Sequence, residues 1–182
     1  MMSWALKAVL LGGLAAGALD IVYAFVVYGP LSYAISPVQV LQSVAAGWIG
    51  REAAQAGGAS TATLGAVTHF GIATVMAWVY VAAAGRVSAL LRSPILWGLV
   101  YGLILYVAMN YVVAPLSSAG ANGYFAASLG QVAERLSESF SMVRPRYDAA
   151  YPWMIPGTIF THTVLVGLPI ALIAKRFAPQ SA

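Results

Sequence analysis

Long apolar runs broken by short polar connections are the dominant pattern of this chain. Four runs stand out: Trp4 to Gly29, Thr61 to Ala84, Pro94 to Ala114 and Met154 to Ala174. A helix crossing the hydrocarbon core of a bilayer needs about 20 mostly apolar residues, so each run predicts a transmembrane helix. Ser93-Pro94 marks the third start as an N-cap with proline at the first helical position. Arg86 closes the second run, and Lys175 with Arg176 closes the fourth.

The connections carry a helical period instead. Over about 37–54, opened by Ser36-Pro37, the residues Val38, Leu41, Val44, Ala45, Trp48 and Ile49 fall on one face. Over about 124–143, Phe125, Leu129, Val132, Leu136, Phe140 and Val143 recur every three to four residues, with Glu134, Arg135 and Glu138 mostly off that stripe. Each predicts an amphipathic helix on the outer, periplasmic side, lying on the bilayer or capping the bundle. A lid over a site and a partner-docking surface are the alternatives. The expected fold is therefore all-α: one integral membrane domain over 1–182, a four-transmembrane-helix bundle with two amphipathic outer helices.

The first run also has the layout of a secretory signal, with Lys7 as a positive start, an apolar core from Val9 to Leu14, and Ala16-Gly17-Ala18 as a cleavage site. An internal repeat argues that the helix is retained. Gly13-Leu14, Gly17, Val22, Val27 and Pro30-Leu31-Ser32 match Gly98-Leu99, Gly102, Val107, Val112 and Pro115-Leu116-Ser117, all at an offset of 85. The valines carry little weight in so apolar a chain; the paired G-x-x-x-G and the closing Pro-Leu-Ser carry more. Thr68-His69 and Thr161-His162 match at an offset of 93, which leaves about eight extra residues in the second outer connection. The chain thus reads as two related helical hairpins of the same orientation, with a pseudo-twofold axis along the membrane normal. Gly13, Gly17, Gly98 and Gly102 would let helix backbones approach closely, within one bundle in preference to between subunits.

Composition agrees with this reading. The chain is 61% hydrophobic and only 8% charged, with a mean hydropathy of +0.83, whereas a soluble domain carries about 25% charged residues. Absence of cysteine excludes disulfides and thiolate metal sites. Nine scattered basic residues and a net charge of +4 do not make a nucleic-acid surface. Lys7, Arg86, Arg92, Lys175 and Arg176 would share one side with no acidic residue. Arg51, Arg135, Arg144 and Arg146 share the other with Glu52, Glu134, Glu138 and Asp148. Five basic residues against four place both termini in the cytoplasm of a bacterial inner membrane.

Three ionisable residues lie well inside the runs: Asp20, His69 and His162. At about 1.5 Å per residue, each sits roughly 12–13 Å inside the outer end of its helix, so one level is expected for all three. Tyr23, Thr68, Tyr106, Asn110 and Thr161 are placed to join them in a single polar cluster. Three readings follow. The cluster is a satisfied buried network that fixes helix register. Alternatively it is a proton, ion or small-solute site, since intramembrane His and Asp often mark such pathways. Or His69 and His162 are axial ligands of a b-type haem, with Gly71 and Gly167 making room for the ring. A bound metal would need both histidines plus Asp20, and none is expected. No G-x-S-x-G, Walker loop or H-E-x-x-H occurs, which points away from an enzyme. The expected protein is a small transport or channel component or an accessory subunit. A haem protein and a purely structural partner protein are the alternatives. Its partners would be the lipid bilayer and either further copies of itself or a larger membrane complex.

Several short stretches carry a resemblance: Leu41-Gln42-Ser43 with Gly47, Thr68-His69-Phe70, Gly98 to Gly102, Met109 to Val113 with Pro115-Leu116-Ser117, and His162 with Gly167-Leu168-Pro169. On these the chain resembles a family of uncharacterised multi-pass bacterial inner-membrane proteins, distantly similar to the YagU group. That resemblance implies a multi-pass inner-membrane protein and brings no activity or ligand. The segment from about 118 to 153 falls outside it and reads as an addition.

Overall fold

A computed structural model describes residues 3–119, 124–141 and 148–179. Among them every regular element is helical. Four helices are long and apolar enough to cross a membrane: Trp4–Tyr28, Gly58–Ala84, Pro94–Leu116 and Met154–Phe177. They fall within a few residues of the four apolar runs.

The first two spans, α1 (Trp4–Tyr28) and α4 (Gly58–Ala84), are uninterrupted α-helices. The third consists of α6 (Pro94–Val107), a π-helical stretch π1 (Ala108–Val113) and α7 (Ala114–Leu116). The fourth repeats the pattern with α9 (Met154–Phe160), π2 (Thr161–Gly167) and α10 (Leu168–Phe177). Each π stretch ends two residues before a proline, Pro115 or Pro169. A proline inside a helix lacks the N–H donor and its ring clashes with the carbonyl four residues back. The π register moves bonding one residue further, as in Ala114 N–H to the Met109 carbonyl and Leu168 N–H to the Thr163 carbonyl. In the first span the corresponding Pro30 lies beyond the helix end, so no such adjustment is needed.

Between the spans lie α2 (Pro37–Ile49), α3 (Arg51–Ala56), α5 (Ala89–Arg92) and α8 (Leu129–Ser141). The Arg86 guanidinium donates to the Ala82 carbonyl at the end of α4, a basic side chain on the negative helix terminus.

By its contacts the chain divides into two compact units. The first comprises Met1–Tyr23, His69–Tyr106 and Gly157–Ala182, and the second Ala24–Thr68 and Val107–Pro156. In the first, all four spans contribute to one core of small side chains around Tyr80 and Ile170, among them Ala8, Ala16, Ala77, Ala171 and Ala174. Gly13 sits where a Cβ would lie 2.6 Å from the Thr74 backbone, and Gly17 lies against the Phe70 ring and Ala73. Gly98 packs on Leu168 and Ala171, and Gly102 on the backbone of His162 and Thr163. With no lipid-versus-water difference to drive helices together in a membrane, such close backbone approach is the main source of packing energy. The glycines therefore join α1 to α4 and the third span to the fourth within one chain.

The second unit holds the connections. Ser36 caps α2 with a complete capping box: its hydroxyl accepts from the Gln39 N–H, and the Gln39 side chain accepts from the Ser36 N–H. The single helix expected over 37–54 is broken at Gly50, whose φ of 80° only glycine adopts readily. The buried face also differs from the apolar stripe. Val40, Gln42, Ala45 and Ala46 are buried, while Val38, Trp48 and Ile49 are exposed. Two causes are visible. The Gln42 amide donates to the Gln55 and Gly58 carbonyls across the α3 turn, and Ala45 and Ala46 pack closely on Ala54 and Ala119.

In α8 the stripe is divided, with Val132 and Leu136 half-buried. Leu129 is 89% exposed and Phe140 is exposed, whereas Ser139 is buried. Arg135, off the apolar stripe, is half-buried as well, because its guanidinium donates to the Tyr124 and Pro115 carbonyls. Val143, Arg144 and Arg146 lie outside the described residues.

Candidate functional site

The polar groups predicted to meet are partly brought together in the first unit. Asp20 on α1, His69 on α4 and Thr161 on π2 form its centre. The Thr161 hydroxyl donates to Asp20 Oδ1 at 2.9 Å. His69 Nδ1 stands 3.9 Å from Asp20 Oδ2, an ion-pair distance too long for a hydrogen bond. His69 Nε2 meets the Gly17 carbonyl at 2.8 Å. A carbonyl only accepts, so Nε2 carries the hydrogen and donates. The imidazole of neutral His69 then presents a bare nitrogen, Nδ1, toward a carboxylate oxygen.

The glycine seam makes this geometry possible. Phe70 lies against Gly17, so α4 approaches α1 closely enough for the neighbouring His69 to reach the Gly17 carbonyl. The His69 side chain is 13% exposed and that of Asp20 is 30% exposed. A charged aspartate at the middle of a spanning helix costs about 2.5–3.5 kcal/mol on insertion scales, so its partners matter. Thr161 supplies one bond to it, and His69 faces its other oxygen.

His162, in the same unit, is engaged differently. Its Nδ1 donates to the Thr158 carbonyl one turn back at 2.8 Å, and its ring stands edge-on to Tyr106 with centroids 5.9 Å apart. Thr163 donates to the Ile159 carbonyl at 2.8 Å. Both side chains thus serve carbonyls at the junction where α9 passes into π2, the way Ser, Thr and similar groups sustain irregular helix in membranes. Neutral His162 consequently carries its hydrogen on Nδ1 and leaves Nε2 bare, the opposite tautomer to His69. Tyr23 lies beside Phe160 at 6.4 Å between centroids.

Thr68 and Asn110 belong to the second unit. The Thr68 hydroxyl accepts from the Trp48 indole N–H at 3.0 Å, and Asn110 is buried within π1. Of the two glycines proposed to make room for a haem, Gly71 faces open space. Gly167 instead receives the α6 backbone at Gly98 and Gly102 and leaves none. Among the described residues, no three His, Asp or Glu side chains gather as a metal-binding set.

No family model matches the chain, and neither does any curated protein or solved structure. The chemistry of the site rests on its own geometry.

Two polar features were not anticipated from the sequence. Gln42 is one, since a glutamine within an apolar helical pattern gives no sign of which turn it will clasp. The other is in the second unit, where the Tyr33 hydroxyl donates to Asp148 Oδ2 at 2.8 Å and Tyr151 donates to the Ser32 carbonyl at 2.8 Å. The Asp148 bond pushes the Tyr33 phenol up to about 12, and the same bond, helped by the Ala150 N–H, holds the Asp148 carboxyl below its usual value. These residues are 115 positions apart in sequence, and no periodicity links them.

Proposed function

We propose that the protein is a non-enzymatic, multi-pass inner-membrane protein of the transport or channel-component kind, working through the intramembrane site of Asp20, His69 and Thr161. One observation carries the reading: an aspartate within a spanning helix takes a hydroxyl bond on one oxygen, and its other oxygen stands 3.9 Å from His69 Nδ1, the ring nitrogen that the Gly17 carbonyl leaves open. Both termini in the cytoplasm, two duplicated hairpins, outer helices resting on the membrane surface, and kinship with the YagU-like family belong to the same proposal. The exposed Leu129, Phe140 and Phe125 of the second connection support a lipid-facing role for it.

The test is flux. In proteoliposomes holding the full chain, Asp20→Asn combined with His69→Ala should abolish movement of the transported proton, ion or solute. If every measured flux matched that of the unaltered protein, the transport reading would be lost.

A second reading is a haem protein, favoured by His162: its Nδ1–H on a backbone carbonyl leaves Nε2 free, the arrangement that metal-ligating histidines commonly adopt. It requires His69 either to release Gly17 or to ligate through Nδ1. A Soret band in protein purified from haem-sufficient cells would establish it. A third, a structural subunit of a larger membrane complex, is supported by the hydrogen-bonded state of every buried side-chain polar atom among the described residues. Stoichiometric co-purification together with full tolerance of alanine at Asp20 and His69 would favour it.

A further inference from the structure

We infer that the species bound at this site is a single proton, taken up either at His69 Nδ1 or on the Asp20 carboxylate that faces it; the inference rests on the reading of that site as functional. The tautomer is the starting point. Because the Gly17 carbonyl holds the Nε2–H, the only open position on the ring is the Nδ1 lone pair, which faces Asp20 Oδ2 at 3.9 Å. Without an added proton, two electron-rich atoms confront one another and the pair carries one negative charge.

A proton taken from water or hydronium resolves the conflict. It forms an N–H bond at Nδ1, leaving its oxygen donor as water or hydroxide, and converts the pair into imidazolium and carboxylate with no net charge. Placed on Oδ2 instead, it gives a neutral acid facing a neutral ring. Either way the loaded state is neutral within the membrane and the unloaded state is not.

Among the described residues no Lys or Arg bonds Asp20 or His69. The Lys and Arg side chains of the first unit are Lys7, Arg86, Arg92, Lys175 and Arg176. Along their helices, Lys7, Arg86 and Lys175 stand roughly 20 Å or more from Asp20, His69 and Thr161 respectively, at about 1.5 Å per residue. Besides Lys7, the other titratable groups on these elements are Tyr23 and Tyr28 on α1, Tyr80 on α4, Tyr101 and Tyr106 on α6 and His162 on π2. None is a carboxylate. The facing atoms, one nitrogen and one oxygen, also suit a proton better than Ca²⁺ or Mg²⁺, which take about six oxygen ligands. Thr161 tunes the pair by donating to the other carboxylate oxygen.

The chain has two histidines, so ¹⁵N-histidine NMR of the full protein in lipid bilayers resolves each ring. Neutral His69 is expected as the Nε2–H form and neutral His162 as the Nδ1–H form. Acid should add the second hydrogen of His69 at Nδ1, and that N–H should show a through-space contact with the Asp20 carboxylate carbon. Asp20→Asn should displace the His69 Nδ1 resonance, because the group facing it changes, and leave the His162 resonances in place. Neutral His69 with its hydrogen on Nδ1, or a His69 resonance indifferent to Asp20→Asn, would overturn the inference. Should Asp20→Asn fail to fold, the tautomer of the unaltered protein and the Nδ1–H to carboxylate contact decide the matter. Flux separates this from the broader reading. A His69 that behaves as described with no proton flux keeps the proton site and removes transport. A moving solute with an indifferent His69 does the reverse.

Discussion

The first pair of spanning helices and the second pair share glycine spacing, a Thr-His pair and a Pro-Leu-Ser end, yet they are built differently. In the first, α1 and α4 are regular, and His69 reaches across to the other helix at Gly17. In the second, both spans contain a π stretch, and His162 turns back to its own helix at Thr158. At the first glycine of each pair both seams meet backbone, Gly13 at Thr74 and Gly98 at Leu168. At the second they differ: Gly17 meets the edge of an aromatic ring, whereas Gly102 meets backbone. The same short motif thus yields a free imidazole nitrogen facing a carboxylate in one pair and a helix-sustaining donor in the other. What separates them is proline: Pro115 and Pro169 lie within the second pair, whereas Pro30 lies beyond the end of α1 and α4 contains none.

The largest expected effect tests the seams. Gly102→Ala places a methyl group on the His162 and Thr163 backbone, which cannot turn aside, and should cost ~3 kcal/mol. Gly17→Ala meets a Phe70 ring that can rotate and should cost ~1 kcal/mol. Unfolding in detergent or bilayer measures both, and equal losses would break the contrast.

Next come the hydroxyls. Thr163→Val strips a donor from the Ile159 carbonyl at the π junction and should cost ~1–2 kcal/mol. Thr74→Val removes a similar bond to Phe70 within a regular helix, where the carbonyl keeps its backbone partner, and should cost under ~1 kcal/mol. A smaller loss at Thr163 than at Thr74 would argue that the π stretch needs no side-chain support.

Proline's role is testable with little change in stability. Pro169→Ala restores an N–H, so π2 should relax toward α geometry, with the new amide protected from hydrogen exchange by the Leu165 carbonyl. An unprotected amide would mean that packing against Gly98 and Gly102, not proline, sets the π register.

The smallest effect lies in the exposed connection. Asp148 is held below its ordinary value by Tyr33, so its contribution is present above the ordinary carboxylate range and fades as pH falls through its lowered value. Tyr33, raised to about 12, contributes below pH 10 and loses that contribution as pH rises toward 12. Tyr33→Phe should remove the alkaline dependence of the melting temperature and weaken the acid one, since the Ala150 N–H still bonds Asp148. The shift should be small, because both groups are solvated.

Much of the fold was legible. Four apolar runs of sufficient length became four long helices, because hydropathy and span length are local properties. Helices in the two longer connections were legible in existence and approximate extent. Which of their residues would be buried within the chain was not: Val38, Trp48 and Ile49 of the apolar stripe are exposed, while Gln42 clasps the α3 turn and Arg135 reaches the Tyr124 and Pro115 carbonyls. At the site, the residue types were legible while their pairings were not. Asp20, His69 and Thr161 met, His162 turned to its own backbone, and Thr68 found Trp48.

The sequence by itself determined that four segments can cross a membrane, that few charges enter them, and that two glycine pairs are available for close packing. These follow from composition and spacing, which need no knowledge of neighbours. Only the tertiary structure decided which atom of each imidazole carries its hydrogen, because a tautomer is set by the carbonyl that the ring happens to reach. That choice, made at Gly17 for one histidine and at Thr158 for the other, gives the two residues opposite chemistry.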